Sequence, residues 1–164
     1  APRPRILCTR PCCACRRVTV YTVLKDKWNA GKLVYFFSTH FDHVSSEAIR
    51  NSSALMAEIM KAVSGAGDLK QAASAVIAVG DLNTTWDTDH LDAMKDALHY
   101  ARTEAPGLDV HSGTFNGFGH ANSLIDHIFY GGKSVMPVEY WVDKTDYGVP
   151  FISDHYPVMF RFGL

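Results

Sequence analysis

Residues 18–24 read Val-Thr-Val-Tyr-Thr-Val-Leu, and the chain turns apolar again over residues 33–39 after a polar, glycine-containing stretch. β-Branched and aromatic runs bounded by turn residues predict two strands, joined here as a hairpin. Over residues 44–63 the apolar positions fall at Ala48, Ile49, Leu55, Met56, Ile59, Met60 and Val63, the three-and-four spacing of an amphipathic helix. Ser45 or Ser46 supplies its N-cap, Glu47 suits the positive end of its dipole, and the glycines at 65 and 67 end it. Residues 75–79 form an apolar run short enough for a buried strand that closes on Gly80. A second helix is predicted over residues 87–100, where Leu91, Met94, Leu98 and Ala101 repeat at helical spacing.

The last third changes character. Residues 124–130, 135–142 and 156–162 run apolar or alternate, with Gly and Pro between them, and predict three more strands. Strands and helices mix without a strict βαβ repeat, which favours a layered α/β or α+β protein. No repeat or linker divides the chain, so residues 17–164 form one domain behind an irregular lead-in, residues 1–16. One sheet of about six strands with two helices leaves a sheet face uncovered, so a partner, self-association or marginal stability is expected.

Of the 164 residues, 47% are hydrophobic and 20% charged, which excludes a disordered or fibrous chain. The formal charge of -1 hides an asymmetry, because Arg3, Arg5, Arg10, Arg16, Arg17 and Lys25 precede the first acid, Asp26. The remainder is acidic, which argues against a broad footprint on double-stranded nucleic acid and fits a small phosphoester better. All four cysteines lie at 8, 12, 13 and 15, too clustered for a disulfide framework and without the second ligand pair of a zinc site. No apolar run approaches the roughly 18 residues that cross a bilayer, and the first thirty residues lack a signal-peptide core. A soluble chain is expected, its compartment open.

Polar residues gather where apolar strands stop: His40-Phe41-Asp42-His43 after the second strand, Gly80-Asp81-Leu82-Asn83 after the third, and Ser153-Asp154-His155 before the last. Asp126 and His127 sit inside an apolar strand, where a buried carboxylate needs a partner and a histidine is the natural one. Strand ends at one sheet edge are where loops build sites on a rigid platform.

Four strings, Ser38-Thr39-His40-Phe41-Asp42-His43, Val79-Gly80-Asp81-Leu82-Asn83, Leu124-Ile125-Asp126-His127-Ile128-Phe129 and Ser153-Asp154-His155-Tyr156-Pro157, resemble in order and separation the endonuclease/exonuclease/phosphatase (DNase I-like) superfamily. The resemblance implies the second half of a layered α/β sandwich and a metal-dependent phosphoester hydrolase: a phosphodiesterase, nuclease or phosphatase. It implies His155 as the histidine that handles the proton of the attacking water and Asp126 as the carboxylate that orients it. It further implies that Asp81 aligns the nucleophile, that Asn83 donates a hydrogen bond to the phosphate, and that His40 stabilises charge growing on the phosphoryl oxygens. Asp154 is similar to the carboxylate at or near the magnesium, with Asp81 and Asn83 on the metal's side, and manganese is an alternative cation.

Family domains have two similar halves, and the first supplies an Asn and the Glu that is the main direct metal ligand. The lead-in before Arg17 holds no Glu, Asp or Asn. A homo-oligomer or a first-half partner would then complete the site, and the competing reading is a truncated, catalytically weak or inactive phosphoesterase-like domain that binds metal weakly and nucleic acid or phospholipid through its basic arm.

Two other motifs compete for the same residues. Ser38, His40, Asp42 and His43 match three of four positions of the His-x-His-x-Asp-His zinc motif of metallo-β-lactamases, but that fold does not call for the strings at 81–83 and 153–155. Ser153, Asp154 and His155 are consecutive, whereas a hydrolase triad converges from separate segments. Phe115 or Phe118, before the Asp126 strand, is placed to border the pocket and stack on a base or lipid headgroup.

Overall fold

The computed structural model describes residues 5–6, 16–106 and 112–164. Cys8, Cys12, Cys13 and Cys15, and most of the expected irregular lead-in, lie outside the described residues. Within it, β1 (Arg5–Ile6) pairs antiparallel with Thr19 and Val18 at the start of β2 (Val18–Lys25).

β2 and β3 (Leu33–His40) form the expected antiparallel hairpin, and β4 (Ala75–Asp81) returns parallel to β3 after α1 (Ser46–Ser64). A parallel neighbour needs a crossover, and α1 supplies it. Ser45 caps the helix by accepting from the Ala48 N–H, and Gly65, at φ 72°, ends it in the left-handed conformation. β6 (Asp126–Gly131) then pairs antiparallel with β4, and with β5 (His99–Tyr100) at the edge the order across the sheet is β1-β2-β3-β4-β6-β5.

Two expectations need correction. The helix predicted over residues 87–100 breaks into a 3₁₀ turn (Asp89–Leu91), α2 (Asp92–Ala97), the two-residue strand β5 (His99–Tyr100) and α3 (Ala101–Glu104). Leu91, Met94 and Leu98 are buried as the spacing required, but Leu98 is extended and Tyr100 pairs with Phe129 on β6. Strand pairing overrides helical periodicity there. The single sheet is also two: β7 (Met136–Val142) and β8 (Val158–Gly163) pair only with each other. β6 already has a neighbour on each side, and the chain leaves it through Gly131 and Gly132, which press against the backbone of Leu69 and Ser74.

Side chains alternate across the larger sheet and build two cores. Phe37, Val76, Ala78 and Phe129 join Met56, Ile59 and Met60 of α1. On the other face Ala75, Ile77, Ile128 and Tyr130 join Tyr140, Val142, Phe160 and Phe162 of the small sheet. That cover stops short of β2, where Val18, Val20 and Leu24 on the same face are about half exposed. The uncovered face expected from the sequence is therefore the β2 end of this layer. No helix among the described residues is long and apolar enough to cross a membrane.

Candidate active site

The polar ends of three strands meet in one row. His40 is in register with Asp81, and Asp81 with Asp126, so three side chains line up across β3, β4 and β6 on the face shared with the small sheet. Gly80 makes this approach possible, because a Cβ there would lie 1.9 Å from the Thr39 carbonyl oxygen.

His155 reaches the row from the segment before β8. Its Nδ1 is 2.7 Å from Asp126 Oδ2, and its Nε2 is 3.8 Å from Asp81 Oδ2. A carboxylate accepts only, so Nδ1 carries the proton and the lone pair of the neutral ring sits on Nε2. His40 Nε2 approaches the same Asp81 oxygen at 3.3 Å. Burial alone would lower the His155 pKa, but the Asp126 hydrogen bond and the charges of Asp126, Asp81 and Asp154 together hold it above its ordinary value. Burial, joined by the charge of Asp126, lifts the Asp81 carboxyl above the usual range against the Asn83 N–H and the two histidines.

Asn83 closes the turn after β4 at φ 50°. Its N–H donates to Asp81 Oδ1 at 2.8 Å and its side-chain amide to the Phe41 carbonyl at 3.1 Å, an Asx-turn tied to the end of β3. Behind this turn, His127 is buried on the opposite face from Asp126. Its Nε2–H donates to the Thr84 carbonyl at 2.8 Å, so Nδ1 accepts from the Tyr100 hydroxyl at 2.9 Å, and Trp86 stacks on Tyr100. Burial pushes the His127 pKa down to about 4, so the ring is neutral at pH 7.

A second brace comes from the loop before β6. Thr114 Oγ1 accepts the N–H groups of Ile125 and Asp126, and the Asn116 side-chain amide donates to the Ser153 carbonyl at 3.1 Å. The N–H of Asn116 donates to the Asp154 carbonyl at 2.7 Å, so both partners of the His155–Asp126 contact hang on one loop.

The structure thus brings His40, Asp81, Asn83, Asp126 and His155 together. Asp154, next to His155, takes a 3.3 Å contact from Ser153 Oγ and stands outside the tightest donor group. Within that group ligand atoms of Asp81, Asp126 and His155 lie within 4.8 Å of one another. Two carboxylates this close, one raised by burial and by its neighbour's charge, are donor chemistry that a divalent cation neutralises. The zinc-motif reading is not supported: Asp42 is buried, accepting the N–H groups of Val44 and Ser45, and His43 faces Arg17. Sequence reasoning missed the bracing roles of His127, Thr114 and Asn116. A histidine that alternates away from the site inside an apolar strand was the signal for the first. The glycines flanking Thr114 and Asn116 were the signal for the other two.

Phe115 packs on the His155 ring, centroids 4.9 Å apart. Phe118 is exposed instead, held at φ 53° between two left-handed glycines.

Neither a protein-family profile nor a curated protein sequence matches the chain. Solved structures do. An endonuclease/exonuclease/phosphatase from Bacteroides vulgatus superposes over 99% of the chain at TM-score 0.81 and 25% identity. A mannosyl-6-phosphatase from Bacteroides thetaiotaomicron covers 93% at TM-score 0.78 and 27% identity. An endonuclease/exonuclease/phosphatase family protein from the same species covers 89% at 0.75 and 27%. The chain spans 64%, 59% and 56% of the length of these three structures, so it matches part of their fold. With its four motifs converged at one sheet edge, the chain belongs to the endonuclease/exonuclease/phosphatase (DNase I-like) superfamily.

Proposed function

We propose that the site hydrolyses phosphoesters with the help of a divalent cation, magnesium or manganese. One observation carries this reading: the in-register row His40–Asp81–Asp126 with His155 2.7 Å from Asp126. His155 Nε2, left as the base, takes a proton from water while Asp126 fixes the ring's tautomer. Asp81 accepts from and aligns that water, and His40 donates toward the phosphoryl oxygen as its charge grows. Asp81 and Asp126, with Asn83 and Asp154 adjoining, are the residues that would hold the cation. Bound there, it supplies neutralisation of phosphoryl oxygens.

Phosphate-ester chemistry also finds support in the name of the Bacteroides thetaiotaomicron mannosyl-6-phosphatase. Hydrolysis of a chromogenic phosphodiester by the purified chain, with magnesium and with chelator, tests the proposal. Magnesium-dependent turnover that disappears in His155→Ala is expected, and turnover unchanged by that substitution would overturn it.

A second reading, a phosphoester-binding domain without turnover, is favoured by one observation. The metal-capable group among the described residues, Asp81, Asp126 and His155, contains no glutamate. A partner or second copy that supplies the missing ligand would restore turnover. Binding of phosphate without hydrolysis in a folded sample would select this second reading.

A further inference from the structure

Fifteen residues, 143–157, connect β7 to β8 without regular secondary structure. Connections that long within a compact domain are uncommon and usually functional. This one is built rather than slack. Asp143 accepts from the Thr145 N–H and hydroxyl and from the Tyr147 hydroxyl, and Asp146 accepts from the Gly148 N–H. The Phe151 ring packs under Gly119, where a Cβ would come within 3.0 Å of it. Asn116 pins Ser153 and Asp154 from the facing loop.

The connection lines a half-open cavity of about 550 Å³ with His155 in its wall. That is the size of a small-molecule pocket. Tyr147, Phe151 and Tyr156 line it, and Ile152 and Val149 stand exposed at its edge, Ile152 at 68%. Lys144 does not offer a free cation there, because its ammonium donates to Ser112 and lies over the Tyr156 ring.

We propose that this cavity receives an aromatic ring carried by the substrate's ester group, so that the site prefers aryl-bearing phosphoesters to purely polar ones. The inference rests on the hydrolase reading for where the phosphate sits. With the phosphate held at His155, an ester group that follows the cavity would run past Phe151 toward Ile152. Aromatic and apolar side chains on a concave surface suit a flat ring, whereas a protruding patch would suit a bilayer.

The test compares binding of phenyl phosphate and methyl phosphate to the purified chain by calorimetry with magnesium present, since the two probes share their charge and differ in the ring. The expected result is about tenfold tighter binding of phenyl phosphate. In Val149→Ser/Ile152→Ser the two affinities should come within twofold, with methyl phosphate unchanged. Both positions are exposed and neither belongs to the two buried cores, so the variant should keep its fold. Equal binding of both probes by the natural sequence, a ring preference that survives the double substitution, or no binding of phenyl phosphate would each overturn the proposal. Loss of binding to phosphatidylcholine vesicles in the double variant, with no ring preference, would overturn it in favour of a membrane surface. A ring preference without turnover leaves this pocket standing and removes the hydrolase reading. Turnover without a ring preference does the reverse.

Discussion

Asp126 Oδ2 holds His155 Nδ1 at 2.7 Å, from a strand in the larger sheet to the segment that leads into β8 of the smaller one. The contact joins the two layers at the point where the chemistry is assigned. Asp126→Asn should keep the fold and cost about a hundred- to ten-thousand-fold in rate, since an amide there no longer fixes which ring nitrogen bears the proton. It also predicts a titration without any substrate. His155 should protonate above 6.5, and in Asp126→Asn its midpoint should drop, because burial still opposes the charged form while the largest raising contributions are gone. Activity should rise with pH as His155 loses its proton. An NMR titration that leaves the His155 midpoint unmoved by the substitution would contradict the orienting role.

The His127–Thr84 contact predicts an acid-sensitive fold. The ring's pKa is depressed from 6.5 to about 4, so its contribution is fully present above pH 6.5 and is lost as pH falls through that window. At about 1.4 kcal/mol per unit this amounts to roughly 3 kcal/mol by pH 4. His127→Gln retains a donor for the Thr84 carbonyl and cannot titrate. Urea unfolding at pH 7.5, 5.5 and 4.5 should show a steeper loss for the natural sequence than for the glutamine variant. Parallel slopes would assign the acid sensitivity elsewhere.

The site was legible because its residues sit at the ends of apolar runs, and in a sheet neighbouring strand ends converge. His40, Asp81 and Asp126 needed only the strand order to fall into one row. The hairpin, α1 and β4 were legible for a related reason, since period and caps agree there: Ser45 and Gly65 bracket the helix as their chemistry demands. Residues 87–100 misled because Leu91, Met94 and Leu98 bury equally well on a helix that stops at Ala97, while the pairing of Tyr100 with Phe129 is invisible to local periodicity. The departure of β7 and β8 into a second sheet was illegible too, because periodicity states which residues are strands and not which edges are already taken. His127 was noticed only as Asp126's neighbour. Its partners, Thr84 and Tyr100, come from distant segments.

Asn83 separates backbone from side-chain effects. Its left-handed φ of 50° costs an alanine about 1 kcal/mol that glycine does not pay, while both lose the amide that donates to Phe41. Asn83→Gly should therefore melt higher than Asn83→Ala, and both should lose phosphodiester turnover to a similar extent. If glycine restored turnover, the turn's shape rather than the amide would be what matters.

Val20 and Leu24 bear on whether the chain is alone in solution. Both are about half exposed on the face that the small sheet leaves open, on a strand that β1, among the described residues, pairs at Thr19 and Val18. A strand with apolar side chains on one face and unpaired backbone along its edge recruits another surface unless charge deters it. Lys25 marks its end, and Val20, Thr22 and Leu24 present no charge to that open face. The chain should self-associate as concentration rises, with the sedimentation coefficient climbing across the micromolar range. Val20→Lys/Leu24→Lys should hold it monomeric at little cost in Tm, because neither side chain belongs to the two buried cores. If the second copy also completed the site, turnover per chain would rise with concentration in the natural sequence and stay low in the lysine variant. A natural sequence that sediments as a monomer at every concentration would mean that the open face is tolerated without cover.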